Sequence, residues 1–245
     1  MRTACLVLLS ALALGDASRA ADVAPAPVPV AEPLVRRSGA AGPDAGLDYL
    51  VYLPAGYDRD ASRRWPLIVF LHGMGERGGD IQRLRRTGLP RAVERRGHLA
   101  YVLVAPHCPD GTLWQPSLLG KMLDKVLEEQ RVDPRRVVLT GLSMGGMGTW
   151  RWGMDEPERF AALAPVCGGV APSGVGALKD MPIWAFHGDA DPVVSIDGHR
   201  RIVEAAKAAG ARVRFTVYPG VGHNCWDRAY GDPSLEEWML LQRRR

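Results

Sequence analysis

Between Leu47 and Gly220 the chain alternates short apolar runs, rich in β-branched residues, with polar or amphipathic stretches. The runs are LDYLVYLP from Leu47, PLIVFLHG from Pro66, YVLVAPHC from Tyr101, VVLTGLS from Val137, FAALAPVC from Phe160, PIWAFHGD from Pro182 and VRFTVYPG from Val213. Most are continuously apolar rather than alternating, as strands covered on both faces must be. Helical patterning falls between or after them, over 80–96, 117–130, 144–154, 197–209 and 234–243. The series predicts an α/β domain: a mostly parallel, doubly wound sheet flanked by helices.

The length of 245 residues and the 47% hydrophobic share are enough for one such domain to bury its own core without a metal or disulfide staple. No internal repeat or second-domain boundary interrupts it. The chain between Val166 and Ile183 is too short for an added lid domain, so an open crevice is expected.

Arg2, the apolar run CLVLLSALALG from Cys5 and the small residues of DASRA ending at Ala20 read as a secretory leader over 1–20, cleaved near Ala20. Export to the periplasm or medium is the expectation. A Pro-rich linker over 21–40 follows, and the catalytic domain is expected over 41–245. The leader's apolar run is about half of the roughly 20 residues a membrane-spanning helix needs, so no integral membrane segment is expected after cleavage.

The net charge of +4 is mildly basic. The Arg-rich stretch from Arg77 to Arg96 reads as a solvated helix face, and nothing resembles a nucleic-acid module. Cleavage leaves Cys108, Cys167 and Cys225, an odd number whose spacing suits neither a zinc site nor a redox motif. No metal or cofactor is expected.

In open α/β sheets the ligand crevice lies beyond the carboxyl ends of the strands. Four strand ends here carry loops dense in chemistry: HGMGERGG after Leu71, GLSMGG after Thr140, HGDADPVV after Phe186 and GVGHNCW after Pro219. Gly141-Leu-Ser143-Met-Gly145 sits between a strand and a helix, where the glycines permit a sharp turn that lifts the Ser143 hydroxyl out of the sheet. A serine hydroxyl needs a base to take its proton and a carboxylate to hold that base in one tautomer. His223 follows the last strand and is the candidate base. Asp189 and Asp191 both precede it in the order Ser, Asp, His, and spacing alone does not choose between them.

Two donors must also face the oxyanion. Met144 N–H, directly after the nucleophile, is one; the loop His72-Gly73-Met74-Gly75 offers Met74, or alternatively Gly73, as the other. His72 and His187, each beside a glycine at a strand end, read as structural supports, and His98, His107 and His199 have no such context. Trp114 and Trp226 lie on loops expected near the crevice and are candidates for an aromatic acyl or sugar platform. Trp150 reads as core, and Glu76 and Arg77 as partners of one another or of substrate.

Taken together, LHGMGERG, VAPHCP, DPRRVVLTGLSMGGMGTW, APVCGG, WAFHGDADPVV and GHNCWDRAY resemble the secreted esterase-type α/β-hydrolases, in the carboxylesterase/phospholipase and dienelactone-hydrolase-like group, nearest the branch labelled predicted peptidase. The resemblance runs from about Leu47 to the C-terminus. It implies the α/β-hydrolase fold, Ser143 as nucleophile, Asp191 rather than Asp189 as acid, His223 as base, and main-chain oxyanion donors at Met74 and Met144. Dienelactone hydrolases proper use a cysteine nucleophile, so Ser143 points toward ester hydrolysis instead. The implied partner is a small-molecule or polymer ester. A peptidase or an acyltransferase on the same triad is the alternative, and a non-catalytic binding protein on this fold is disfavoured because all three residues are present.

Overall fold

The computed structural model describes residues 46–245 and, ahead of them, the short strands β1 (Val28–Pro29) and β2 (Leu34–Arg36). The expected leader over 1–20 lies outside the described residues. Both short strands fall inside the stretch expected as a linker. β1 pairs antiparallel with β5 (His98–Leu99), and β2 pairs antiparallel with β3 (Tyr49–Tyr52). A Pro-rich chain is already extended, and at an edge its missing N–H groups cost no ladder bonds.

The remaining strands are β4 (Trp65–Leu71), β6 (Val102–Pro106), β7 (Val132–Leu142), β8 (Ala162–Val166), β9 (Pro182–Gly188) and β10 (Arg212–Tyr218). With β2 and β3 they form an eight-stranded sheet in the order β10-β9-β8-β7-β4-β6-β3-β2. Every pairing from β10 to β6 is parallel. Each apolar run found in the sequence is one of these strands.

Helices α1 (Gly88–Arg96), α2 (Pro116–Glu129), α3 (Met144–Asp155), α4 (Ile196–Ala208), α5 (Trp226–Gly231) and α6 (Pro233–Leu240) cover the faces. Alternate residues of β4 show the two-sided core. Leu67, Val69 and Leu71 pack with Trp150, Trp152 and Leu163, whereas Ile68 and Phe70 pack with Val138, Phe186 and Tyr230. All seven β4 residues are buried, which explains a run with no polar alternation.

One helix expected over 80–96 is two. A 3₁₀ stretch spans Ile81–Arg86, and α1 begins at Gly88, whose φ is +54°. A Cβ on Gly88 would run into the Phe70 ring and Leu142, so the break brings backbone close to the sheet where no side chain fits. Between β8 and β9 there is only a 3₁₀ turn, Val175–Leu178, and no lid. Cys108, Cys167 and Cys225 are free and buried. Among the described residues no helix is long and apolar enough to cross a membrane.

Candidate active site

The turn from β7 into α3 sets the site. Ser143 has φ 53° and ψ −117°, a left-handed conformation that a residue with a Cβ adopts only when its surroundings impose it. Close packing does so here. A Cβ on Gly145 would overlap the Leu71 carbonyl of β4, and one on Gly141 would strike Gly145, so both glycines let α3 start directly against the sheet. Ser143 N–H donates to the Val166 carbonyl at 2.9 Å, tying the turn to β8.

His223, on the loop after β10, stands 2.9 Å from Ser143 Oγ through Nε2 and 2.7 Å from Asp191 Oδ2 through Nδ1. An ionised carboxylate only accepts, so Nδ1 carries the proton and Nε2 is left to accept from the serine hydroxyl. Asp191 follows β9, and its side chain is fully enclosed. Its Oδ1 accepts from Val193 N–H at 2.8 Å and Val194 N–H at 2.9 Å. Burial alone would raise its pKa, but the bond from His223 and those two backbone donors outweigh burial and hold it below the ordinary carboxylate value.

Asp189, the other acid the sequence offers, accepts instead from Gly220 N–H at 2.6 Å and braces the β9 loop against the β10 loop. Trp226 packs edge-on to the His223 ring at 5.3 Å between centroids.

The loop after β4 is pinned from three sides. Cys108 N–H donates to His72 Nε2 at 3.0 Å, so the His72 proton is on Nδ1, which lies 2.6 Å from the Gly73 carbonyl. In a trans peptide C=O and N–H point in opposite directions, so that bond turns Met74 N–H away from His72. Met74 and Met144 open a 3₁₀ turn and α3 respectively, and the N–H of a first helical residue has no partner within its own helix. Glu76 Oε2 accepts from Gly73 N–H at 3.0 Å, and His107 Nε2 lies 3.0 Å from the Glu76 carbonyl and 3.1 Å from that of Gly78.

Trp114, expected as an aromatic platform, is a correction. It is buried, donates from Nε1 to the His72 carbonyl at 3.1 Å and packs edge-on to the His72 ring at 4.8 Å, so it props the loop from beneath. Glu76 and Arg77 bind backbone rather than each other, Arg77 through the Thr112 carbonyl at 2.8 Å. The supporting roles of His107, His199 and the Trp150 indole went unread in the sequence, because each acts through contacts distant along the chain. Among the described residues no group of His, Cys, Asp and Glu is arranged to hold a metal ion.

The dienelactone hydrolase family profile matches residues 113–232, a span that includes Ser143, Asp191 and His223. A bifunctional acetylxylan esterase/xylanase of Neocallimastix patriciarum is 28% identical over 158 residues, 62% of this chain and 22% of that protein. A probable feruloyl esterase C of Aspergillus terreus is 26% identical over 159 residues, 62% of this chain and 58% of that one. The chain thus spans less than two thirds of the length of either relative. A thermostable esterase of known structure superimposes with a TM-score of 0.73 at 33% identity, covering 86% of this chain and 63% of that one.

Proposed function

We propose, from a chain that is an esterase-type α/β-hydrolase of the dienelactone-hydrolase-like group, that it cleaves carboxylic esters as a serine hydrolase through an acyl-enzyme on Ser143. The observation that carries this reading is the continuous contact from Ser143 Oγ to His223 Nε2 at 2.9 Å and from His223 Nδ1 to Asp191 Oδ2 at 2.7 Å. His223 takes the hydroxyl proton as Ser143 Oγ attacks the ester carbonyl. The tetrahedral oxyanion accepts from Met144 and Met74 N–H, the first aided by the positive end of the α3 dipole. His223 then returns the proton to the departing alcohol, and water repeats the cycle on the acyl-enzyme. Asp191 holds the imidazole in the required tautomer and stabilises its transient charge.

Trp226 beside the base is the proposed platform for an acyl or sugar ring. The names of the two relatives favour acetylated xylan and feruloyl esters as the first substrates to try. The leader reading places the enzyme outside the cytoplasm.

A panel of short p-nitrophenyl, feruloyl and acetylated-sugar esters with a peptide amide, run on wild type and Ser143→Ala, tests this. Ester turnover should fall by about 10⁴-fold or more in the variant. Undiminished turnover rejects the reading.

A further inference from the structure

Behind Asp191 lies a line of buried polar side chains that the reaction itself does not use. His187 in β9, His199 in α4 and Trp150 in α3 are all fully buried. Trp150 Nε1 is 3.1 Å from His199 Nε2, and His199 Nδ1 is 2.8 Å from His187 Nδ1. His187 Nε2 in turn lies 3.0 Å from the Val194 carbonyl and 3.2 Å from Asp191 Oδ2.

The direction of every bond follows from the indole, which can only donate. His199 Nε2 must accept, so the proton of neutral His199 is on Nδ1. Only His187 Nδ1 faces that proton and must accept it, which puts the His187 proton on Nε2, aimed at Val194 O and Asp191 Oδ2. Any other assignment sets two N–H groups against one another, or turns a lone pair toward a carboxylate. Burial also lowers the pKa of both imidazoles, keeping them neutral.

We propose that Trp150, His199 and His187 are positioning residues that lock one tautomer chain and so hold a fourth N–H donor, His187 Nε2–H, on the catalytic carboxylate. Val193 and Val194 N–H take Oδ1, whereas His187 and His223 share Oδ2, so the carboxylate cannot rotate without breaking a bond at each end. Val194 is held by both its N–H, to Asp191, and its C=O, from His187. The acid loop is therefore clipped to the end of β9 by the same imidazole that orients the acid. The proposal takes the serine-hydrolase reading as its premise.

The tautomers are measurable without any assay of activity. In the full chain with ¹⁵N-labelled histidine, long-range ¹H–¹⁵N spectra at pH 8 should show neutral His199 protonated on Nδ1 and neutral His187 protonated on Nε2. The missing signals of His199→Gln and His187→Gln supply the assignment. The opposite tautomer at either residue overturns the proposal.

Kinetics then test the consequence. Trp150→Phe keeps an aromatic ring but removes the donor, and His187→Leu removes the bond to Asp191. Each should lower kcat on a simple ester by about 10- to 100-fold per titrated active site, with KM within about twofold. The low-field proton resonance of His223 Nδ1–H should shift or broaden. His187→Gln, which restores an N–H donor, should recover most of the loss.

A role confined to stability would lower the unfolding midpoint while leaving kcat per titrated site and that resonance unmoved, and that result overturns the proposal. If His187→Leu does not fold, Trp150→Phe and the wild-type tautomers decide. Activity surviving in Ser143→Ala would reject the premise and leave the tautomer measurement standing.

Discussion

Acidification should weaken this fold through its buried histidines. His72 and His199 are fully buried, and burial lowers their pKa values to about 4 and about 3. In the unfolded chain both titrate near 6.5. A folded value below the unfolded one means that between the two the unfolded chain binds a proton the native state refuses. Stability is then present above about pH 6.5 and falls as pH drops below it. Moving from pH 7 to pH 5 costs about 2 kcal/mol for each of these two residues, or about 4 kcal/mol together. Against a typical domain stability of about 5–15 kcal/mol that is a large share. His187 adds a loss of the same sign, again because burial lowers its pKa.

Glu76 and Glu236 act oppositely. Burial raises their folded pKa, so protonating them strengthens the fold, in the range just above the ordinary carboxylate value. The lowered pKa of Asp191 puts its contribution below this window. Urea unfolding at pH 7 and pH 5, followed by tryptophan fluorescence, measures the sum. His199→Gln should shrink the pH-dependent loss by about 2 kcal/mol, because one of the two imidazoles is gone. Equal stability at both pH values, or an unchanged loss in His199→Gln, would refute the reasoning.

Four further outcomes are expected. His72→Phe removes the bond that aims Met74 N–H and strands Cys108 N–H, so kcat should fall by about 10²- to 10³-fold with little change in KM. An unaltered kcat would remove Met74 from the oxyanion hole. Gly145→Ala would drive a Cβ into the Leu71 carbonyl, backbone that cannot step aside, and should cost about 3 kcal/mol or more or leave the chain unfolded. Gly231→Ala, with open space around it, should stay within about 1 kcal/mol in the same urea assay. EDTA should leave ester turnover unchanged, since the triad needs no metal; a loss restored by zinc would contradict that.

What the sequence disclosed and what it withheld divide along a physical line. Strands buried on both faces announce themselves locally, because burial forces a continuous apolar run such as Leu67 to Leu71. Ser143 announced itself as well, because its turn demands glycines at fixed offsets and those glycines can be read. Side-chain bracing leaves no such trace. Trp150 and His199 meet across 49 positions and Trp114 reaches His72 across 42, and neither pairing has a periodic or compositional signature. The platform reading of Trp114 failed for that reason: a tryptophan on a loop looks the same whether its ring faces solvent or the underside of a neighbouring turn.

One local signal was nevertheless present twice. His72-Gly73 closes β4 and His187-Gly188 closes β9, and in each pair the imidazole is buried behind one part of the machinery while the glycine admits a close neighbour. A Cβ on Gly73 would crowd Leu142 and the Glu76 carboxylate, and one on Gly188 would overlap the Val221 carbonyl on the loop that carries the base. The histidine then supplies what a catalytic loop cannot obtain from its own backbone, a neutral donor of fixed direction: toward the Gly73 carbonyl in the first case and toward Asp191 in the second. Only an uncharged imidazole can do this, since a charged one would turn an N–H toward Cys108 N–H or His199 Nδ1–H. The burial that makes these histidines reliable supports of the catalytic loops is therefore the same burial that makes the fold sensitive to acid, and relieving the acid sensitivity at His72 or His187 should carry a cost in turnover.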